Sequence, residues 1–171
     1  RNRRTMLIKG THSRELFELM MDRICHARIL HWADTRLTST ARFLLVVDAS
    51  LDRIGMSLLQ QRPGQAPFEM SEIVTEQDEQ LKRYHLIDVA VRKLQAHETR
   101  YGATEREALG IHVGVEKFKR FLCLRPFDAV GDCKPLVRIF SMGAATTNQK
   151  ILRWRTDICR FQMRYVHRPG S

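Results

Sequence analysis

FLLVVDASLDRIGMSLLQQ, residues 43–61, is the stretch around which the rest of the chain reads. Phe43-Leu44-Leu45-Val46-Val47 is an unbroken apolar run of the length and β-branched content that suits a buried strand. It stops on a carboxylate, Asp48. A turn from Ala49 to Gly55 follows, and a second apolar run lies at Ile54 to Leu59. The pattern predicts a hairpin with an acid at the end of its first strand. One such acid is a weak signal, so its weight depends on whether others are brought to the same place.

The surrounding chain bounds the possibilities. At 171 residues it suits one domain, or one domain with an appendage, and 43% hydrophobic residues are enough for a core. The net charge of +10 makes a polyanion the natural partner, nucleic acid ahead of membrane. No apolar run approaches the roughly 20 residues that span a bilayer. No signal-peptide pattern is present, and a chain that opens on Arg1 reads as a processed product or as part of a longer one. Cys25, Cys123, Cys133 and Cys159 fit no zinc spacing and read as buried free thiols, which suits an intracellular, reducing compartment.

Upstream of the hairpin, residues 1–40 form a basic segment and a helix, with Ser13 as its cap and Leu16, Phe17, Met20, Ile24 and Ala27 at helical spacing. The stretch from Ala33 to Ala41 is a polar connector. Downstream, the acidic run Glu69 to Tyr84 reads as a surface insertion, and Leu86 to Val91 as a third strand. Thr104 opens the clearest helix, with Ala108, Ile111, Val115, Phe118 and Leu122 on one stripe and Thr104-x-x-Glu107 as a capping box. Phe127 to Gly131 is a short strand ending at Asp132. A short helix near Asp132–Leu136, a polar loop from Ser141 to Asn148, a helix marked by Ile151, Trp154, Ile158 and Phe161, and an alternating edge strand from Gln162 to His167 complete an α/β order with a mixed sheet.

Asp48, Glu107 and Asp132 therefore stand at two strand ends and in the first turn of a helix. Clustered carboxylates repel unless a cation joins them, and Mg²⁺ prefers oxygen ligands of this kind. Each acid has another explanation: Asp48 also suits the turn after a strand, Glu107 the capping box, and Asp132 the N-cap of the short helix.

The residues around the acids go further. VVDASLDRIGMSLLQQ, VAVRKLQAHETRYGATEREALGI, FDAVGDCKPL and NQKILRWRTDICRFQMRYVHRPG resemble, in order, the D-A-S, S-R-x-L, E-x-x-Y, T-x-x-E-A-L, D-H-x-P-L and R-W…P-G motifs of the RNase H domain of gypsy-type LTR-retrotransposon reverse transcriptases. The resemblance runs from about Leu16 to Gly170, and the segment before the hairpin looks like the connection that precedes this domain. It implies an RNase H-like fold over residues 41–171, a mixed five-stranded sheet flanked by helices, with residues 1–40 as a connection-like helical segment.

It also implies cleavage of the RNA strand of an RNA–DNA hybrid with Mg²⁺ or Mn²⁺. The catalytic, metal-holding acids fall on Asp48, Glu107 (with Glu105 the second choice) and Asp132.

This chain departs from the family at several points. The fourth acid of the family falls past P-G, beyond Ser171. Cys133 replaces the His of D-H-x-P-L, Val91 the Ser of S-R-x-L, and Val47 the Thr before the first Asp. Two readings follow. One is a catalytically reduced, domesticated derivative, serving as a nucleic-acid-binding or structural subunit alongside other protein chains of a ribonucleoprotein assembly. The other is an active ribonuclease H within a reverse transcriptase.

Basic residues suit both. Arg92, Lys117, Lys119, Arg120 and Arg125, then Arg153, Arg155, Arg160, Arg164 and Arg168, are candidates to meet the phosphates of RNA or of a hybrid, while Trp154 and Phe161 read mostly as core.

Overall fold

A computed structural model gives the architecture for residues 30–36, 38–64, 83–141 and 146–168. The chain divides into two units, Arg1–His31 and Trp32–Ser171, and the description that follows is of the second. The expected N-terminal helix and almost all of the acidic insertion lie outside the described residues.

Five strands form one sheet: β1 (Phe43–Ala49), β2 (Arg53–Gln61), β3 (Tyr84–Lys93), β4 (Phe127–Gly131) and β5 (Met163–His167). Their order is β3-β2-β1-β4-β5. β1 pairs antiparallel with β2 and parallel with β4, and β5 runs parallel to β4 at the edge. The mixed sheet and its flanking helices are as expected. The hairpin turn is tighter than the sequence suggests, because Ser50 organises it: its Oγ accepts from the Asp52 and Arg53 amides and donates to the Arg53 carbonyl. Pairing therefore continues through Ala49↔Ile54.

Alternation along the strands makes two apolar faces. Phe43, Leu45 and Val47 of β1, with Ile54, Met56 and Leu58 of β2, form the main core with α1 (Ala103–Leu122) and α3 (Gln149–Ile158). The opposite face carries Leu44, Leu59, Tyr84, Val130 and Val166. A register shift at Leu58/Leu59 returns Ile87 to the main core while Leu86 stays on the other side. That bulge is why simple alternation misreads β3.

α1 lies close on β1 because Gly110 and Gly114 face it. A Cβ at Gly110 would sit 2.7 Å from Val47 Cγ1. The helix begins at Ala103, so its third residue is Glu105, and Glu105 Oε2 accepts from the Gly102 amide at 3.0 Å. The expected Thr104–Glu107 box is thus displaced to Gly102–Glu105. α2 (Pro135–Phe140) follows Lys134 as its N-cap, which removes the capping role considered for Asp132. α3 is capped by Asn148, whose Oδ1 accepts from the Lys150 and Ile151 amides. Trp154 is half-buried and Phe161 buried against the core.

Candidate active site

The parallel pair β1 and β4 ends on one side of the sheet, and the first turns of α1 arrive there. Asp48 is exposed near the end of β1, opposite Gly55 of β2. Asp132 is exposed one residue past β4. Glu107 enters from the helix layer and is only 6% exposed. Its Oε1 accepts from the Ala49 amide at 3.2 Å, fixing the side chain beside the residue that follows Asp48. Its Oε2 is buried and has no hydrogen-bond partner among the described residues.

That oxygen faces Gly131: a Cβ there would lie 3.6 Å from it and 2.8 Å from the Tyr165 hydroxyl. Gly131 is therefore a vacancy that both side chains need. Burial above all, then the negative charge of Asp132, pushes the Glu107 carboxyl up to about 7. The Ala49 amide opposes the rise and Asp48 adds to it. The three acids thus share one electrostatic neighbourhood.

The donor set fits a hard divalent cation in chemistry. It is all oxygen, one buried oxygen is unpartnered, and the mutual repulsion is of the kind a cation relieves. Even so, no three His, Cys, Asp or Glu side chains among the described residues are close enough together to enclose a metal ion as they stand. Asp48 and Asp132 would have to turn towards Glu107.

Glu105, the second choice for the helix acid, is used otherwise. Besides its cap it accepts from Asn148 Nδ2 at 2.9 Å and pairs with Lys150 at 3.3 Å. It ties α1 to the start of α3.

Two neighbours escaped the sequence reading. The His167 ring meets the Asp132 carbonyl through Nε2 at 3.0 Å. The Tyr165 hydroxyl donates to the Cys133 carbonyl at 3.3 Å, and burial pushes its phenol up, so it remains a donor. Both are consequences of β5 running parallel beside β4, which puts His167 in register with Gly131. Local sequence carries no signal of that pairing.

The basic candidates separate into groups. Arg92 forms a bidentate pair with Glu98, at 2.6 and 2.9 Å, and holds the connector after β3. Arg164 is bound to the buried Asp128 at 2.6 Å, and Arg155 donates to the Ile139 carbonyl. Each of these three has a partner within the fold. Lys117 and Arg153 are exposed, and Arg168 is half-buried. Lys119 and Arg120 reach Glu116 and Asp88 from exposed positions, at 3.4 and 3.8 Å. Cys123 and Cys159 are exposed and Cys133 half-buried, not the buried thiols expected, because Cys123 and Cys159 sit at helix C-termini.

No helix among the described residues is long and apolar enough to cross a membrane. No curated protein matches the chain. Among solved structures, it is similar to the foamy viral protease-reverse transcriptase dRH in complex with double-stranded DNA. That match has 10% identity and a TM-score of 0.61, over 95% of this chain and 26% of that one. It is also similar to the foamy viral protease-reverse transcriptase in complex with double-stranded DNA (12% identity, TM-score 0.56, 95% and 32%) and with an RNA/DNA hybrid (10%, 0.56, 92% and 19%). The chain spans about a quarter of the length of the first of these. At such identities the likeness is one of fold. Residues 38–161 match the family model of the RNase H-like domain found in reverse transcriptase, and the chain belongs to that family.

Proposed function

We propose that this chain is a nucleic-acid-binding domain of gypsy-type retrotransposon descent, in which Asp48, Glu107 and Asp132 hold Mg²⁺ or Mn²⁺ against the backbone of an RNA–DNA hybrid and cleavage is reduced. The observation that carries it is Glu107. A carboxylate with a buried, unpartnered oxygen, pushed up to about 7 beside two further acids, is unfavourable in the free protein and is relieved by a divalent cation. When bound, such ions activate a water and stabilise the leaving oxygen of a phosphodiester.

The chain's own residues supply the frame. The Ala49 amide orients Glu107, the Gly131 vacancy keeps its second oxygen clear, and His167 buttresses the backbone that carries Asp132. Lys117, Lys119, Arg120, Arg153 and Arg168 supply phosphate contacts without sequence preference. Reduced turnover is supported by the replacements at Val47 and Cys133. A domesticated role in a ribonucleoprotein, with further protein chains, in an intracellular reducing compartment, is consistent with the exposed free thiols. The second reading, an active ribonuclease H within a reverse transcriptase, is favoured by the retention of all three acids in one field.

Binding and cleavage of a labelled RNA–DNA hybrid, with and without Mg²⁺ or Mn²⁺, test this. Metal-strengthened binding with slow cleavage, both diminished by Asp48→Asn and Glu107→Gln, is the expected result. Rapid cleavage abolished by those substitutions would establish the second reading instead. Absence of hybrid binding in any metal would sink both.

A further inference from the structure

The end of α1 away from the acids carries a second concave feature. A cleft of about 690 Å³ opens there, lined by Lys119, Arg120, Arg125 and Arg160 over an apolar wall that includes Leu122 and Leu124. Its volume lies within the range of pockets that hold nucleotide-sized ligands. Arg120 lies thirteen residues along the helix from Glu107, so the cleft is about 20 Å from the acids at 1.5 Å per residue.

Charge there is only partly compensated among the described residues. Glu116 serves both Lys119 and Arg160, at 3.4 and 3.0 Å, and Asp88 is 3.8 Å from Arg120. Among the described residues, four cations face two carboxylates, an excess of two. Lys119, Arg120 and Arg160 have side chains 60%, 73% and 63% exposed, so those pairs hold weakly.

Among the described residues, Arg125 has no carboxylate partner. Its Nη1 donates to the Ser39 and Ala41 carbonyls and its Nη2 to that of Arg36. Neutral acceptors fix the guanidinium in place and leave its charge. The partial negative charge at the C-terminus of α1 accounts for cations in its last turn, such as Lys119 and Arg120. It does not account for Arg125, which lies beyond the helix, or for Arg160, which comes from the segment after α3.

We propose that this cleft is an anchoring site for single-stranded nucleic acid, separate from the acids. It takes a phosphodiester on Arg125 and Arg160 and an unstacked base on the apolar wall. A duplex keeps its bases inside and offers a cleft only its backbone. A single strand can place both phosphate and base in it, and the guanidinium carbons of Arg120 and Arg160 already lie 4.7 and 5.0 Å from the ring centroids of Phe121 and Phe161. The inference rests on the reading that the chain binds nucleic acid. It adds that a strand leaving the hybrid is held at the far end of α1.

Cys123 lines the cleft and is exposed, whereas the exposed Cys159 lines a different cavity beside α2. Alkylation of the unmodified chain, followed cysteine by cysteine by mass spectrometry, is therefore a local probe. Oligouridine of about 12 nucleotides should slow modification of Cys123 and leave Cys159 unchanged. In anisotropy titrations, the exposed Arg160→Glu should weaken oligouridine binding about fivefold or more and lower the salt slope by about 1, with hybrid binding within about threefold of the parent. Cys123 left unprotected while the hybrid binds would overturn the cleft and spare the proposed function. Binding of neither nucleic acid would overturn both. Protection by oligoglutamate but not by oligouridine would make the cleft a site for acidic peptide and overturn the proposal.

Discussion

Glu107 is the residue on which the site turns, and its protonation gives the first test. The folded chain holds its proton up to about pH 7, whereas an ordinary glutamate releases it near 4.5. Between those values the folded state binds more protons than the unfolded state, so stability of the metal-free protein falls as pH rises through that window. Urea denaturation at pH 5 and pH 8 should show the decline. Glu107→Gln should flatten it and leave the variant the more stable of the two at pH 8. Mg²⁺ should raise the melting temperature of the parent at pH 8 and do little for the variant.

Gly131 gives a second test. A methyl group there meets the Tyr165 hydroxyl at 2.8 Å, so Gly131→Ala should cost about 1–3 kcal/mol, as overpacking does, and adding Tyr165→Phe should recover part of it. Thermal melts of the single and double variants check this. The three acids were legible from the motifs around them. Gly131 and His167 were not, because their importance arises only when β5 is laid beside β4.

At the scale of elements, the hairpin, the long helix, β4 and the edge strand stand where hydrophobic period placed them. The errors fall where a boundary or a bulge shifts the phase. Two residues at the start of α1 move the cap from Glu107 to Glu105 and free Glu107 for the site. The connector after β3 depends on the Arg92–Glu98 pair, in which Glu98 is 5% exposed. Removing Arg92 leaves a buried carboxylate without its cation, so Arg92→Ala should destabilise by about 3 kcal/mol. Hybrid affinity measured well below the melting temperature should change little, since this arginine is spent on the fold. A large loss of affinity with unchanged stability would restore Arg92 to the phosphate contacts.

Among the described residues, one layer of helices covers one face of a mixed sheet, and Phe118 of α1 belongs to that core, 1% exposed. Phe118→Ala should cost about 3–5 kcal/mol by chemical denaturation. The sequence by itself determined the order of the described elements, the class of sheet and the family, and it singled out three acids as candidates. Apolar period, turn residues and short motifs are local properties and survive without coordinates. Only the tertiary structure decided which charges remain free. Arg92 and Arg164 look like phosphate ligands in the chain and are paired with the carboxylates of Glu98 and Asp128 in the fold, while the described partners of Arg125 are neutral carbonyls that leave its charge. Pairing of that kind depends on residues up to 89 positions apart brought together by the sheet, and no local pattern encodes it.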